Sequence, residues 1–431
     1  MSGEELGKLS FADDMERRHP ANTLSTGLVE PSVQGPPDGT LANLGQEREA
    51  APIIGNELWK PPQGAPRATG MRSEHLFVSN VRFVAMVSIV YVHTQMLIET
   101  SSTAVTHLQV ALLQLFKFGT ISFFLISGFL LGEGLTRVGR MRYFRRRVQV
   151  ILSPWIFWGM LWFFFALTAH LLGSRHNALR TSVLAVLQEY LQFVFFHSIY
   201  WFVPNFFFCL ALVIALHKRV PDLVVGAFFL LCSLFYGVNV YLVILPPAHT
   251  TAVFGFVFYL WLGMFAYAHR QRWFSWLART SWVLLGSFAA IAGGLSLIEY
   301  HYLSRLHPYG DASNTLRISN QLFSVLVTLL IVKYKRRLSP RFIRVRSETF
   351  GIYLLHPILV EVVRMIRLHL TLDSPFRTPN GPLTLFLLPM LFLIVYLTAV
   401  FLAKQLGRSA KWAWTVGIRS SSELAAHPKP V

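Results

Sequence analysis

The chain has 431 residues, of which 53% are hydrophobic and only 14% charged, and its mean hydropathy is +0.47. A soluble protein of this length needs more charge to cover its surface, so the composition excludes a soluble class and indicates a polytopic membrane protein. The formal net charge of +18 is compatible with a nucleic-acid partner. Most of the cations, however, lie in short loops between apolar segments, so the predicted partner is membrane lipid and not nucleic acid. The two cysteines lie in apolar segments and predict neither a disulfide framework nor a metal site.

The first part of the chain, residues 1–72, differs in composition from everything after it. It contains Pro-Pro and Asp-Gly turns, scattered charge and no sustained apolar period. Such a segment cannot bury a core, so we interpret it as a disordered cytoplasmic N-terminal tail. A transmembrane domain is predicted over residues 73–405, and a short cytoplasmic C-terminal tail over residues 406–431.

Ten apolar segments follow the tail, each close to the length that crosses about 30 Å of hydrocarbon. They lie near 80–98, 111–131, 150–172, 200–216, 222–243, 252–269, 282–300, 318–333, 349–367 and 383–403. The segment 183–197 is interrupted by polar residues, and we predict that it forms an amphipathic helix and does not span the membrane. The predicted fold class is therefore all-α, a polytopic transmembrane helical bundle of about ten spans.

Loop charge gives this bundle a direction. The loops that share one side of the membrane carry eighteen lysines and arginines, within 137–147, 218–219, 270–279 and 333–346. The loops of the other side carry five. Cytoplasmic loops are the basic ones in membrane proteins, so both termini are predicted to be cytoplasmic.

The first apolar segment carries two ionisable residues, Arg82 and His93. Charged or titratable groups within a membrane segment are costly and indicate function. Eleven residues separate them, which on a helix is three turns plus about 20°, so they share one face about 16 Å apart along the axis. With the predicted orientation, Arg82 lies near the cytoplasmic end and His93 about two-thirds of the way across.

Further motifs follow this pair in a fixed order. They are FGTISFFLISGFLL at 118–131, YFRRRVQVILSPW at 143–155, YWF at 200–202 and GIYLLHPIL at 351–359. Together with Arg-x10-His, this ordered set resembles the membrane-bound acyltransferase-3 family, which O-acylates surface sugars and related acceptors. The resemblance covers roughly residues 75–405. One departure is Asn80, which stands where a carboxylate often precedes the arginine of the motif.

His93 is the candidate general base. A sugar hydroxyl is a poor nucleophile, and an imidazole can take its proton as the oxygen attacks a thioester. The alternative is a core histidine hydrogen-bonded to a neighbouring helix. Direct transfer and a covalent acyl-enzyme both remain open, and no residue of the same helix is identified that would orient His93.

The resemblance implies that Arg82, Arg145, Arg146 and Arg147 bind the donor, because the phosphates of acyl-coenzyme A need cations. For Arg82 the alternative is contact with lipid headgroups, and for the three loop arginines it is the topology signal alone. Acyl-coenzyme A is expected as a donor substrate, with acetyl the simplest acyl group, and no permanently bound cofactor is expected.

Three further residues are candidates for lining the substrate path. Ser127 is either a relay or part of a small-residue helix contact, and Trp201 either lines an acceptor cleft or belongs to an interfacial aromatic belt. His356, placed in the cytoplasmic half of its segment, is interpreted as structural or donor-lining and not catalytic. One of five residues near the predicted outer side is a candidate for orienting an acceptor, and the sequence does not choose among them: Glu189, Glu299, Tyr300, His301 and Asp311.

The predicted function is that of an integral inner-membrane O-acyltransferase with a cell-surface or lipid-linked carbohydrate as acceptor. The alternative is a polytopic transporter or flippase in which Arg82 and His93 line a substrate path. Internal repeats or paired broken helices are typical of transporters, and the two halves of this sequence show no convincing repeat. The oligomeric state does not follow from the sequence.

Overall fold

The computed structural model describes residues 69–97, 103–173, 183–307, 311–371 and 381–418. Within these ranges the chain forms helices and connecting turns without any strand. The α-helices are α1 (Thr69–Thr94), α2 (Thr103–Phe116), α3 (Gly119–Val138), α4 (Arg140–Gly173), α5 (Val183–Gln192), α6 (Phe202–Leu216), α7 (Asp222–Leu242), α8 (Val257–Ala268), α9 (Arg270–Arg279), α10 (Trp282–Leu306), α11 (Ile318–Lys333), α12 (Val345–Thr371) and α13 (Gly381–Arg408).

The predicted all-α, polytopic bundle is confirmed. Eight helical segments of the described residues are long and apolar enough to cross a membrane, and two shorter apolar helices cover Val253–Ala268 and Ile318–Lys333. These eight and two correspond in position to the ten apolar segments of the sequence. The placement of both termini in the cytoplasm stays a prediction.

The second predicted span, 111–131, is part of a longer segment that contains a break. Thr103–Val138 is continuous in its apolar character, but α2 ends at Phe116 and α3 begins only at Gly119. At the break, the amide of Lys117 bonds to the carbonyl of Gln114 at 3.3 Å, and the Lys117 ammonium donates to the carbonyl of Ser313. The interruption therefore places a cationic side chain against a distant connection of the bundle.

Two amphipathic elements lie beside the spans. The predicted helix at 183–197 is present as α5, followed by one wide helical turn over Phe193–His197. The basic helix α9 was not predicted. The ammonium of Lys333 donates to the carbonyls of Leu277 at 2.6 Å and Ala278 at 3.2 Å, and this contact satisfies carbonyls in the last turn of α9.

Helices α3 and α8 pack at very short range through two glycines. A Cβ atom on Gly128 would lie 1.9 Å from the carbonyl oxygen of Leu260, and one on Gly263 would lie 2.0 Å from that of Leu125. No other residue type fits at either position without separating the helices. The small-residue contact considered for this stretch of α3 is therefore present, and Gly128 makes it.

Helical structure extends a few residues beyond the predicted transmembrane domain at both ends. Helix α1 begins at Thr69, inside the segment interpreted as a tail, although residues 1–68 lie outside the described part. At the other end α13 runs to Arg408, and Ala413–Val416 form a short turn that packs back on the bundle. The indole nitrogen of Trp158 donates to the carbonyl of Thr415 at 2.8 Å, so this turn is attached to α4.

A buried arginine ties several helices together on the predicted outer side. Arg317 precedes α11, is fully buried and makes four hydrogen bonds. Its guanidinium donates to the Asn314 carbonyl at 3.1 Å, to the Ser296 carbonyl at 2.7 Å and hydroxyl at 3.1 Å, and to the amide oxygen of Gln114. These bonds join α2 and α10 to the start of α11.

The carboxylate of Glu299 caps the N-terminus of α11. Its two oxygens accept from the backbone amides of Ile318 and Ser319, each at 3.2 Å, and from the hydroxyls of Ser319 and Tyr241. An anion at a helix N-terminus satisfies otherwise unpaired amides and interacts favourably with the helix dipole. Glu299 was a candidate for orienting an acceptor, and its oxygens are occupied instead by this structural role.

Candidate active site

Two histidines from opposite ends of the sequence meet inside the bundle. The Nδ1 atom of His93, on α1, lies 3.1 Å from the Nε2 atom of His356, on α12. Their rings are stacked with an interplanar angle of 17° and centroids 5.2 Å apart. His356 is fully buried and His93 is partly exposed. The two side chains therefore share one depth in the bundle, although the sequence placed His356 in the cytoplasmic half of its segment.

The backbone of α12 determines which nitrogen of each ring carries hydrogen. The Nδ1 atom of His356 lies 3.2 Å from the carbonyl oxygen of Ile352, which can only accept, so Nδ1 is protonated. In a neutral ring, Nε2 of His356 then holds a lone pair and accepts from Nδ1–H of His93. This leaves the lone pair of His93 on Nε2, which makes no hydrogen bond to any residue that the structure describes.

Pro357, directly after this histidine, loosens the same turn of α12. A proline lacks the amide hydrogen that would bond to the carbonyl four residues earlier, here that of Tyr353. Both tyrosines around the site are used to fasten α12: the hydroxyl of Tyr353 donates to the Ile199 carbonyl at 3.1 Å, and that of Tyr200 donates to the Leu354 carbonyl at 2.7 Å. The YWF segment thus fixes the turn that carries His356.

Trp201, in the same segment, lies beside a different histidine. Its ring packs edge-on against His249 with centroids 5.4 Å apart and also contacts Phe256 at 5.3 Å. The side chain is 7% exposed, so it is part of the packed interior and not of an exposed aromatic belt.

A group of arginines gathers around Arg82, about three turns before His93 on α1. The neighbouring cations whose charges act on Arg82 are Arg147, on α4, and Arg346, at the start of α12. The Nε atom of Arg147 donates to the hydroxyl of Tyr143 at 3.0 Å, and its guanidinium carbon lies 5.1 Å from the centre of that ring. We call Arg82, Arg147 and Arg346 the arginine cluster. Arg82 itself forms no hydrogen bond or ion pair within the described part of the chain.

The predicted donor arginines are therefore brought together only in part. Arg82 and Arg147 belong to the arginine cluster, whereas Arg145 and Arg146 are exposed on α4. Arg346 was missed as a site residue because it looked like one more cation of a basic loop. Its position in the first turn of α12, directly after the eleven-residue connection 334–344, carries no signal in the sequence that separates it from the neighbouring cations.

Asn80 fixes the part of α1 that carries Arg82. Its side-chain amide donates to the Arg336 carbonyl at 2.8 Å, and its oxygen accepts from the Leu338 amide at 3.0 Å. Asn80 is fully buried, and both of its polar groups are satisfied. The departure from the family pattern at this position therefore has a structural use, which is to attach α1 to the connection between α11 and α12.

Ser127 takes no part in either group. Its side chain is partly exposed on α3, and it makes no hydrogen bond to any residue that the structure describes. No hydrogen bond within the described residues therefore supports a role for Ser127 as a relay.

Sequence reasoning also missed two polar residues close to His93. Lys117 and His249 are, after His356, the titratable groups that surround His93. Lys117 had a signal in the sequence, since it is a lysine within a long apolar segment. His249 had none, because a histidine in a loop is ordinary. In the described ranges, no group of three or more His, Cys, Asp or Glu side chains is arranged to hold a metal ion.

The structure is a multi-pass helical bundle in which α1 carries both the arginine cluster and, about three turns further on, the histidine pair. These features define a membrane protein with an embedded polar site. The family model described as "Acyltransferase domain" matches residues 75–403 of the chain. The chain therefore belongs to the acyltransferase-3 family and is a multi-pass membrane acyltransferase. Comparison with curated proteins and with solved structures gave no match.

Proposed function

We propose that this chain is an O-acyltransferase of the plasma (inner) membrane that uses acyl-coenzyme A, most simply acetyl-coenzyme A, as its donor. The acceptor is a hydroxyl of a cell-surface or lipid-linked carbohydrate, and His93 is the general base. The observation that supports this proposal most directly is the 3.1 Å contact between Nδ1 of His93 and Nε2 of His356. It supplies the orienting partner that the sequence did not reveal.

The chemistry follows from the tautomers. The lone pair on Nε2 of His93 takes the proton of the acceptor hydroxyl while the hydroxyl oxygen attacks the thioester carbonyl carbon. The carbon–sulfur bond then breaks, and the coenzyme A thiolate leaves with the proton that His93 had taken. His356 keeps Nδ1–H of His93 engaged throughout, in the way a carboxylate orients the histidine of a catalytic triad. Because His356 is neutral, it does this without placing another charge in the apolar interior.

The arginine cluster is the proposed site for the phosphates of the donor. The charges of Arg147 and Arg346 repel that of Arg82, which has no carboxylate among its charged neighbours in the described residues, and an anion relieves that repulsion. Arg82 and His93 lie on one face of α1 about 16 Å apart. An extended pantetheine arm covers such a distance, so phosphates at the cluster are compatible with a thioester at His93.

The test is acyl transfer from radiolabelled acetyl-coenzyme A in membrane vesicles that carry His93→Ala, His356→Ala or His356→Gln. Loss of a general base costs about 10²–10⁴-fold in rate, so His93→Ala is expected to fall in that range. His356→Ala removes the orienting acceptor and should reduce transfer less than His93→Ala does. His356→Gln retains a side-chain oxygen that accepts from His93 and should recover part of the loss. A matched control is His197→Ala, at an exposed position.

Two results would contradict the proposal. Transfer by His93→Ala at the wild-type rate would remove the general base. If wild-type protein cleaves no thioester in native vesicles, the result would contradict acyl transfer and support the transporter or flippase alternative. His356 would be merely structural if its alanine and glutamine variants lost activity equally and in proportion to their loss of folded protein.

A further inference from the structure

A second oriented histidine lies on the predicted outer side of the bundle. His249 follows α7, and its Nδ1 atom is 2.8 Å from Oδ2 of Asp311, in the connection between α10 and α11. The side chains are 24% and 27% exposed, respectively. Both side chains are therefore partly buried, and each keeps an exposed part that a ligand can contact.

The charge state of Asp311 determines the tautomer of His249. Burial alone raises the pKa of Asp311, but the hydrogen bond from His249 opposes that effect, as do the charges of Lys117 and Arg317. The pKa of this carboxyl is held well below its usual range, so Asp311 is ionised at neutral pH and can only accept. Nδ1 of His249 therefore carries hydrogen. In the neutral ring the lone pair is on Nε2, which makes no hydrogen bond to any residue in the described ranges.

The backbone around this pair is firmly attached. The side-chain amide of Asn314 donates to the Pro247 carbonyl, and this bond joins the two connections that carry His249 and Asp311. The guanidinium of Arg317 donates to the Asn314 carbonyl, and the ammonium of Lys117 donates to the carbonyl of Ser313. A binding group is held precisely when its supporting residues are themselves fixed. The pair has that support.

His249 is also an electrostatic neighbour of the proposed base. It and Lys117 are among the titratable groups that surround His93, and Lys117 in turn interacts with Asp311. The arginine cluster lies about three turns away from His93 along α1, around Arg82. An acceptor that approaches the thioester from the predicted outer side therefore approaches from the side on which His249 lies.

We propose that His249, oriented by Asp311, is an acceptor-binding residue: its Nε2 accepts a hydrogen bond from one acceptor hydroxyl while another hydroxyl of the same acceptor is deprotonated at His93. The proposal deepens the proposed function and rests on it. It also narrows the acceptor, which must carry at least two hydroxyls. A sugar with adjacent hydroxyls satisfies this requirement, and a simple fatty alcohol does not.

The experiment compares two acyl acceptors in the same native membrane vesicles supplied with radiolabelled acetyl-coenzyme A. One is the endogenous acceptor, measured as label in vesicle material, and the other is hydroxylamine, a small nucleophile that requires no second hydroxyl contact. His249→Ala is expected to lower transfer to the endogenous acceptor at least tenfold and transfer to hydroxylamine much less. His249→Gln keeps an accepting oxygen and should retain more transfer than His249→Ala. His197→Ala is the matched control.

Each result decides for or against the assignment. Equal losses with both acceptors, or no loss with either, would overturn it. Asp311→Asn serves as the second variant if His249→Ala lowers the amount of folded protein, and it should show the same selective loss to a smaller extent. If the wild-type protein transfers label to neither acceptor, the proposed function itself fails and this inference fails with it. An effect of His93→Ala on both acceptors separates the two cases.

Discussion

Arg82, within α1, and Arg317, directly before α11, are both arginines of apolar segments, yet their surroundings are opposite. Arg317 is completely buried and its guanidinium makes four hydrogen bonds to backbone and side-chain oxygens. Arg82 has none within the described residues, and its charged neighbours are two further arginines. One cation is satisfied by the protein, and the other lies where a ligand anion would satisfy it.

The comparison separates a structural cation from a functional one in physical terms. A buried charge is tolerated when it is fully hydrogen-bonded, and removing it leaves its partners unpaired. A cation among like charges is instead a source of repulsion in the empty protein and of attraction for an anion. We therefore expect the outer arginine to control stability and the cytoplasmic one to control donor binding.

The largest effect is expected for Arg317→Met. The substitution keeps much of the apolar stem but leaves oxygens of Ser296, Asn314 and Gln114 without their donor. Breaking such a buried charged network costs about 3–5 kcal/mol in unfolding free energy. The measurement is denaturant unfolding of the detergent-solubilised protein. The same change at Arg82 is the matched control, and it should alter stability by less than about 1 kcal/mol. Equal destabilisation by the two variants would remove the distinction between these arginines.

The next effect is expected for donor binding in Arg82→Gln. Hydrogen bonds to charged groups contribute about 1.5–3 kcal/mol each, which corresponds to about 10–100-fold in affinity. The KM for acetyl-coenzyme A should therefore rise by about that factor, and it should depend less on salt than in the wild type. Arg279→Gln makes the same charge change at an exposed position on the same predicted side and serves as the control. An unchanged KM in Arg82→Gln would assign this arginine to the lipid headgroups instead.

The sequence predicted the spans well and the site only in part. Long apolar segments are recognisable locally, so the positions of the ten segments and the pairing of Arg82 with His93 on one face followed from composition and helical period. The contact between His93 and His356 joins residues 263 positions apart, and no local pattern encodes it. Loop residues such as His249 and Arg346 acquire their neighbours only from the packing of several helices.

The break between α2 and α3 shows the same limit within one segment. Hydropathy reads Thr103–Val138 as one apolar stretch, because a single lysine hardly changes the average. The helix is nevertheless interrupted at Lys117, whose ammonium finds the Ser313 carbonyl on a connection nearly two hundred residues later. Tertiary contacts of this kind override a locally continuous pattern.

The smallest effect tests whether the structural and binding roles separate within the cytoplasmic end itself. Asn80 lies two residues before Arg82 and both donates to Arg336 and accepts from Leu338. Asn80→Asp keeps the accepting oxygen and loses the donor, which should cost about 1 kcal/mol of unfolding free energy. Asn80→Ala loses both contacts and should cost more. Because neither hydrogen bond involves the guanidinium of Arg82, the KM for acetyl-coenzyme A in Asn80→Ala should change by less than about threefold, on the order of 0.6 kcal/mol. A larger rise in that variant, at unchanged stability, would mean that Asn80 binds the donor together with the arginine cluster.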